Sequence, residues 1–346
     1  MNSRSLRAVV APLLVALVAG CGSRSSSTGS AVPSGGGAAP LQVGLVFDVG
    51  GRGDKSFNDA AYAGLDSAQK KLGIRFSTLE TSEGADREAQ LRQLAAGPAQ
   101  IVFGVGFLFS DDVKALAKEF PKKKFACVDF TVTPGESLPP NLVALTFKEE
   151  EGSYLVGALA ALMSKTHTVG FVGGMEIPLI QKFQAGYVAG VHAVDPACEV
   201  MVKYAGNNGS AFKDPTKGKE LALAEYHAGA DIIFHASGST GLGVFEAARE
   251  LHRLAIGVDS DQYHEAPGFI LTSMVKRVDT AVFQAIQDVK ENRFRPGVRH
   301  LGLAEDGVKW VYDENNKALI PDAVKARVDS LQAEIVAGRI VVPTKP

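Results

Sequence analysis

Acidic and hydroxyl-bearing residues follow several short apolar runs in this sequence, at the point where each run ends. They are Asp48, Asp129, the stretch from Ser237 to Ser239, and Asp259 with Asp261. If the runs are parallel strands, their carboxyl ends share one edge of a sheet, where open α/β folds bind ligands. A single Asp at such a place commonly forms a turn, but four such ends together predict a binding crevice. Ionised carboxylates only accept hydrogen bonds, so the ligand should carry N–H or O–H donors.

The sequence lacks the usual signatures of a catalytic centre. Its seven histidines include no His-x-x-x-His pair, and neither a Gly-x-Ser-x-Gly elbow nor a Gly-Lys-Ser/Thr phosphate loop is present. Gly238, Gly241 and Gly243 follow an apolar run, but their spacing does not match a dinucleotide-binding fingerprint. We therefore predict a binding protein that is not an enzyme, with no catalytic residue, no metal and no cofactor.

Composition narrows the class of protein further. The 346 residues are 46% hydrophobic, which excludes wholesale disorder and suggests about two globular domains. Lysine and arginine number 36 against 38 acidic residues, and this near-neutral balance argues against a nucleic-acid partner. Cys127 and Cys198 fall in or beside predicted strands of different halves, so we expect both to be unpaired core residues.

The N-terminus predicts export. Arg4 and Arg7 precede an apolar run that ends at Cys21, and the run is shorter than the ~20 apolar residues of a bilayer-spanning helix. Its last four residues, Val-Ala-Gly-Cys, resemble a bacterial lipobox. That resemblance implies removal of residues 1–20 as a lipoprotein signal peptide and acylation of Cys21. The alternative is an ordinary secretory signal with an accidental cysteine.

Residues 21–40 are predicted to be a flexible tether, because Ser, Gly and Pro leave almost nothing to bury there. The folded body should begin near Leu41. A lipid-anchored protein of this design would sit in the cell envelope on a bacterial membrane, facing the periplasm or the exterior.

From Leu41 onward, short apolar runs alternate with helical periods, the pattern of parallel sheets covered by helices on both faces. The helical period is clearest at Ala61, Leu65, Ala68 and Leu72, with Ser56 and Asp59 as a capping box and Gly73 as a stop. Gly97 is a second candidate stop. The predicted strands are 43–47, 75–79, 101–105 and 125–130 in a first series, and 169–172, 200–204, 232–235 and 256–258 in a second.

The segments after about residue 268 do not fit a simple arrangement of two consecutive α/β halves. We predict a strand at 269–273, a helix at 277–292, a hairpin around Asp306 and Trp310, and a last helix from Pro321. Because two-lobed binding proteins cross between lobes several times, the lobes should be discontinuous. We predict a first lobe of residues 41–146 plus about 272–300, and a second of 147–271 plus about 301–346.

Eight segments stand out along the chain, in this order: Asp48-Val-Gly-Gly-Arg-Gly-Asp-Lys-Ser-Phe-Asn58, Val128-Asp-Phe130, Glu149-Glu-Glu-Gly-Ser-Tyr154, Val169-Gly-Phe-Val-Gly-Gly174, Phe183-Gln-Ala-Gly-Tyr187, Gly229-Ala-Asp231, Gly257-Val-Asp-Ser-Asp-Gln262 and Thr272-Ser-Met-Val-Lys276. Together and in this order they resemble the basic membrane protein family of lipid-anchored substrate-binding proteins of ABC transporters, which includes purine nucleoside receptors. The resemblance covers nearly the whole chain after the tether. It implies a type I periplasmic-binding-protein fold, made of two doubly wound parallel-sheet lobes that close on a nucleoside.

The resemblance also implies roles for particular residues. Phe57 and Phe183 would stack on the two faces of a base, since aromatic faces accept any flat π-system. Asp129, Asn58 and Ser56 would face the base. Asp261, Lys276, Asp48 and Gly238 would hold the ribose, and Asp259 completes the predicted ligand-binding set.

Charge sharpens the expected ligand. Asp48, Asp129 and Asp261 against the single Lys276 would repel phosphate, which favours nucleosides over nucleotides. A carboxylate at Asp129 can accept the base N–H of guanosine or inosine, whereas adenosine has an acceptor there. Adenosine nevertheless stays within the predicted ligand class.

The predicted partners are a purine nucleoside, the permease subunits of an ABC importer, and membrane lipid through acylated Cys21. We expect a monomer that binds no nucleic acid. Two alternatives stay open: the same fold binding riboflavin, a sugar or a signal molecule, or a surface adhesin or signalling receptor. Riboflavin also combines a flat ring with a polyol, so the sequence separates it poorly from a nucleoside.

Overall fold

The computed structural model describes residues 39–81 and 86–346. The proposed signal peptide, the acylation site at Cys21 and nearly all of the proposed tether lie outside the described residues. Residues Pro40 to Pro346 form one compact unit. Within the described part of the chain, no helix is both long and apolar enough to span a bilayer.

Strands and helices alternate through most of this unit, as the two periodicities of the sequence predict. The elements in chain order are β1 (Gln42–Phe47), α1 (Phe57–Leu72), β2 (Arg75–Glu80), α2 (Arg87–Ala96), β3 (Ile101–Val105), α3 (Ser110–Glu119), β4 (Lys124–Val128), β5 (Leu142–Phe147), α4 (Glu149–Met163), β6 (Thr168–Met175), α5 (Pro178–Val194), β7 (Glu199–Gly206), α6 (Pro215–His227), β8 (Ile232–Ala236), α7 (Gly241–Leu251), β9 (Leu254–Asp259), β10 (Ile270–Lys276), α8 (Val278–Lys290), β11 (Gly297–Leu301), β12 (Val308–Trp310) and α9 (Asp322–Val336).

The strands form two six-stranded sheets, and each sheet is the centre of one lobe. The first sheet has the order β11-β5-β4-β3-β1-β2 and is parallel throughout. The second has the order β12-β10-β9-β8-β6-β7, with only the edge strand β12 antiparallel. Parallel strands require crossover connections, and helices supply most of them, whereas β4–β5 and β9–β10 are joined without an α-helix. The predicted α/β fold with two parallel-sheet lobes is confirmed.

The chain passes between the sheets three times. It leaves the first sheet after β5, returns after β10 to add α8 and β11, and leaves again to add β12 and α9. Helix α8 packs on α1, and α9 packs on α4. Since β10 belongs to the second sheet, the return begins after Lys276, a few residues beyond the predicted position near 272.

The predicted hairpin around Asp306 and Trp310 is wrong. Strand β12 pairs with β10, where Met274 lies opposite Trp310, and β11 pairs with β5 in the other sheet. Two neighbouring segments of the sequence therefore belong to different lobes. A turn near Asp306, whose φ is +51°, redirects the chain without pairing its flanks.

The predicted capping box at the start of α1 is also wrong, although the helix and its Gly73 stop are confirmed. The Ser56 hydroxyl makes no capping bond and donates to Asp259 in the second lobe instead, with 2.5 Å between Oγ and Oδ2. Asp54 caps the helix, since its carboxylate accepts from the backbone N–H groups of Ser56, Asn58 and Asp59. Such bonds satisfy donors that a helix start leaves without partners.

Helices α4 and α5 approach unusually closely beneath the second sheet. A Cβ added at Gly190 would lie 2.0 Å from the Tyr154 carbonyl oxygen, and one at Gly186 would lie 2.1 Å from that of Glu150. Only glycine allows this backbone contact. The two described cysteines, Cys127 and Cys198, are buried and unpaired, as predicted.

Candidate ligand-binding site

One cavity lies between the carboxyl ends of the two sheets. Its empty volume, part of which is open solvent, is about 580 Å³. Its lining draws on both lobes: Asp48, Val49, Asp54, Phe57, Asn58, Gly106, Phe107, Asp129, Leu179, Ile180, Phe183, Phe212, Ala236, Ser237, Gly238, Val258, Asp259 and Lys276. Most of the polar members end or directly follow a strand, which is the crevice position of open α/β sheets.

The backbone is held in an unusual conformation at two of these strand ends. Asp129 follows β4 with φ +60°, and Asp259 ends β9 with φ +63°. Residues other than glycine adopt this left-handed region at a cost, which is tolerated where the surrounding structure fixes them. The conformation turns both carboxylates into the cavity from opposite lobes.

Lys276 forms the electrostatic centre of the site. Its ammonium lies 2.6 Å from Asp129 Oδ2 and 3.1 Å from Glu149 Oε1, and its side chain is 2% exposed. Burial disfavours the charged lysine, but the carboxylates of Asp129, Glu149 and Asp259 outweigh it and hold its pKa above the usual value. The ammonium therefore stays charged, joining β10 of the second lobe to Asp129 of the first.

The two acidic partners of Lys276 respond differently to burial. Burial raises the pKa of Asp129 despite the nearby ammonium. Glu149 is also buried, but Lys276 and Lys182 together keep the pKa of its carboxyl below the usual value. Asp129 Oδ1 has no hydrogen-bond partner among the described residues. It is an acceptor that a donor on a ligand could satisfy.

Two carboxyls of the cavity, those of Asp48 and Asp259, have pKa values raised toward neutral pH. Burial raises the pKa of Asp48 to about 7, although Val49 N–H donates to its Oδ1 at 2.8 Å. Burial likewise raises the pKa of Asp259 to about 6, against the lowering effects of Lys276 and of the Ser56 hydroxyl. Carboxyl groups in a cleft whose pKa values are raised toward neutral pH are typical of functional sites.

Gly106 makes room for Asp48. Its φ is +107°, and a Cβ at this position would lie 2.0 Å from Asp48 Oδ2. The Asp48 backbone N–H also donates to Asn58 Oδ1 at 2.9 Å, while Asn58 Nδ2 donates to Asp54. The Asn58 amide is thus engaged in fixing the loop that carries Asp48.

Aromatic rings form the apolar walls of the cavity. Phe57 is the first residue of α1 in the first lobe, and Phe183 lies on α5 in the second. The Lys276 ammonium is 5.1 Å from the Phe57 ring centroid and 5.5 Å from that of Phe183. Phe107 and Phe212 meet edge to face across the lobes, with 6.5 Å between centroids. Flat apolar surfaces from both lobes therefore border the same space.

Most of the sequence-predicted residues are brought together here. The residues that line the cavity are Asp48, Phe57, Asn58, Asp129, Phe183, Gly238, Asp259 and Lys276. Ser56 does not line it and is fully buried against Asp259. Asp261 is exposed and borders a separate groove beside Arg277, because the chain turns away from the cavity once β9 ends. Direct ligand contacts for these two residues are not supported.

Sequence reasoning missed several residues of the site. Phe107 follows the carboxyl end of β3, so the rule that found Asp48 and Asp129 could have found it. Phe212 and Leu179 lie in segments that follow strands of the second sheet by several residues, where no spacing marks them. Glu149 belongs to one of the segments that resemble the family, but its ion pair with Lys276 joins residues far apart in sequence.

Two α/β lobes that enclose a cleft lined by carboxylates and aromatic rings define a two-lobed solute-binding protein. Residues 41–345 match the family model described as ABC transporter substrate-binding protein PnrA-like, abbreviated Bmp. The chain therefore belongs to this family of substrate-binding proteins, which are not enzymes. The predicted resemblance to the basic membrane protein family is confirmed.

Individual relatives agree with this assignment. The chain is 36% identical over 326 residues to the CD4+ T-cell-stimulating antigen of Listeria monocytogenes, covering 88% of each chain. It is 33% identical to the ABC transporter nucleoside-binding protein BmpA of Lactococcus lactis, covering 96% of each. A crystal structure of an ABC transporter solute-binding protein from Aeropyrum pernix superposes with a TM-score of 0.80 at 30% identity, covering 88% of this chain and 94% of that one.

Proposed function

We propose that this protein binds a purine nucleoside between its lobes and delivers it to the permease of an ABC importer. The observation that carries the proposal is the pairing, in one cavity, of an aromatic ring from each lobe with carboxylates from each lobe. Phe57 and Phe183 offer stacking surfaces for a base, and base stacking on aromatic side chains tolerates different bases. The similarity to a relative named as nucleoside-binding supports the same ligand class.

The charges favour an uncharged, donor-bearing ligand. Asp48, Asp129 and Asp259 supply acceptors for ribose hydroxyls and base N–H groups. Lys276 is the only cation among the described residues that line the cavity, and two carboxylates already neutralise it. A phosphate group would therefore meet buried negative charge without a free cation, so nucleosides should bind and nucleotides should not.

The base preference follows from Asp129. Its Oδ1, which lacks a partner among the described residues, can accept the N–H that guanosine and inosine present beside a carbonyl. Adenosine presents an acceptor at that position, and two acceptors facing each other repel. We infer that guanosine and inosine bind more tightly than adenosine.

Calorimetric titration of residues 39–346 against a panel of ligands tests the proposal. The panel contains guanosine, inosine, adenosine, inosine monophosphate, riboflavin and arabinose. We expect the nucleosides to bind and the monophosphate to bind at least about tenfold more weakly, which corresponds to 1.4 kcal/mol. Tighter binding of riboflavin or the sugar would contradict the proposed ligand. Binding of no panel member would favour an adhesin or signalling receptor.

We further propose that the chain is a monomer attached to the cell envelope through acylated Cys21. The sequence Val-Ala-Gly-Cys at 18–21 supports this attachment. Mass spectrometry of the membrane-extracted protein should show a chain that begins at an acylated Cys21, and Cys21→Ser should release the protein into the soluble fraction. An N-terminus elsewhere, with unmodified Cys21, would contradict the lipid anchor and leave the ligand proposal standing.

Nucleoside affinity should rise between pH 5 and pH 8. Asp48 has a pKa of about 7 and Asp259 one of about 6, so both carry protons at pH 5 and lose them by pH 8. Ligand donors bind the ionised carboxylates, so binding releases protons, and each carboxyl increases the affinity by up to about tenfold per pH unit below its own pKa. Calorimetry in buffers of different ionisation enthalpy measures both the affinity and the released protons.

The variant Asp48→Asn tests the origin of this pH dependence. It should bind more weakly at pH 8 and show a flatter profile, because the amide does not titrate. Asp261→Asn is the matched control, since Asp261 lies outside the cavity, and its profile should follow the wild type. An affinity that is constant or falls with rising pH would rule out ionised carboxylates as the acceptors.

A further inference from the structure

The strands of the first sheet begin at an edge where the folded body meets the proposed tether. The carbonyl of Leu41, next to Pro40, accepts from Arg75 N–H at 2.9 Å. One position further on, Gln42 O accepts from Gln100 N–H at 2.8 Å, and Gln100 O accepts from Lys124 N–H at 2.9 Å. The start of the folded body, at Pro40 and Leu41, therefore lies beside the first residues of β1 to β4.

Basic side chains surround this point. We call the surface formed by Lys71, Arg75, Lys122, Lys124, Lys290 and Arg295 the basal face. Two contacts join the segments that carry its members. Lys290 Nζ at the end of α8 donates to the Leu72 carbonyl at the end of α1. Lys124 Nζ lies 5.1 Å from the ring centroid of Phe294, next to Arg295.

Helix geometry accounts for only part of this charge. Lys71 and Lys290 occupy the last turns of α1 and α8, where cations complement the helix dipole. Arg75, Lys122 and Arg295 are outside helices and exposed, and none forms an ion pair with another described residue. Their charges are available to a partner.

The corresponding edge of the second sheet has a different character. Asp195, Glu199 and Asp231 lie at or next to the starts of β7 and β8, and basic residues there are interspersed with them. Acidic residues near the basal face are engaged: Asp66 accepts from Lys70 at 2.6 Å, and Glu291 pairs with Arg293. The near-neutral total charge of the chain therefore conceals an asymmetry between the outer ends of the two lobes.

We propose that the basal face rests against the anionic lipid headgroups of the membrane that carries the anchor. This inference rests on the proposed acylation of Cys21. Nineteen chain steps separate Cys21 from Pro40, and Gly- and Ser-rich chains of that length span on the order of 25 Å. The anchor thus keeps the basal face near the headgroups at high effective concentration, so a weak attraction suffices.

The positive charge of the basal face is complementary to the negative charge of anionic lipid headgroups. Each basic side chain close to an anionic bilayer strengthens association by about fivefold, and the attraction falls off within a Debye length of ~10 Å at 0.1 M salt. The cavity lies at the opposite edge of the same sheet, at least one strand length, or about 17–20 Å, from this surface. Contact through the basal face leaves the cleft accessible to solute.

Co-sedimentation with lipid vesicles tests this proposal without the anchor. Residues 39–346, which contain the complete compact unit, are mixed with vesicles of phosphatidylcholine alone or of phosphatidylcholine with phosphatidylglycerol. Binding should require phosphatidylglycerol and weaken as salt rises. The triple variant Arg75→Glu, Lys122→Glu, Arg295→Glu should bind at least roughly tenfold more weakly.

A matched variant controls for net charge. Lys165→Glu, Arg249→Glu, Lys309→Glu changes the charge by the same amount on exposed residues of the second lobe, and its vesicle binding should stay within about twofold of the wild type. An equal loss in both variants, or no binding to phosphatidylglycerol vesicles at low salt, would overturn the proposal. Nucleoside titration of both variants separates this result from the ligand proposal, because neither alters the cavity.

Discussion

Replacing Lys276 with methionine should lower the free energy of unfolding by about 3–5 kcal/mol, the usual cost of removing one partner from a buried ion pair. Methionine fills a similar volume but leaves Asp129 buried without its counter-ion, because Lys276 is the only described cation within ion-pair distance of it. Glu149 loses less, since Lys182 also contacts it. Urea unfolding at pH 8, followed by circular dichroism, measures the change.

A second substitution tests whether the lost stability comes from the unpaired charge of Asp129. Adding Asp129→Asn to Lys276→Met removes the uncompensated charge and should recover a large part of the lost stability, as coupled partners do in double-mutant cycles. Lys309→Met, at an exposed position of β12, is the matched control and should change stability by less than about 0.5 kcal/mol. If the single Lys276 variant lost no more than this control, the ion pair would not hold the lobes together.

Removing the Phe57 ring should weaken nucleoside binding by roughly 10–100-fold, because stacking of a base on an aromatic side chain is worth about 1–3 kcal/mol. Phe57 is half-buried at the first turn of α1, so Phe57→Ala should leave the fold intact. Phe183 is 3% exposed and also packs in the hydrophobic core of the second lobe. For that position Phe183→Leu is the better choice, since it retains volume while removing the flat ring.

Two aromatic residues outside the cavity provide controls. Phe283→Ala on α8 matches the half-buried Phe57, and Phe245→Leu on α7 matches the buried Phe183. Both controls should bind nucleoside as the wild type does, even where stability falls. Normal binding by both Phe57→Ala and Phe183→Leu, measured by calorimetry on folded protein, would exclude the base sandwich.

Local patterns predicted the elements well because each depends on neighbouring residues. The face of Ala61, Leu65 and Ala68 is buried as its period indicates. Strand β5 is not predicted by the sequence, because Leu142–Phe147 is an apolar run, interrupted only by Thr146, that leads almost directly into α4, and periodicity does not separate strand from helix there. The sequence does not predict which strands pair with each other, since nothing in the segment around Trp310 shows that it pairs with β10.

In the candidate site, too, residues that depend on local sequence were predicted, whereas residues that depend on long-range contacts were not. Strand ends identified Asp48, Asp129 and Asp259, because parallel strands bring their carboxyl ends together whatever their order. Asp261 lies outside the cavity lining, since the sequence does not show where the chain turns away after a strand. Ser56 also lies outside the lining, and its hydroxyl donates to Asp259, which is 203 residues away. Contacts between residues so far apart in sequence depend on how the two lobes meet, and the spacing of residues in the sequence does not predict that arrangement.

The threading of the chain between the lobes also constrains its biosynthesis. The first sheet lacks its edge strand until β11 has been made, and the second until β12 has been made. Neither lobe can be completed before about nine-tenths of the polypeptide has left the ribosome. Domains generally fold as units, so a nascent chain without a finished unit stays loosely structured. Late completion of both lobes thus suits the proposed export of the chain, because an export channel must thread an extended polypeptide.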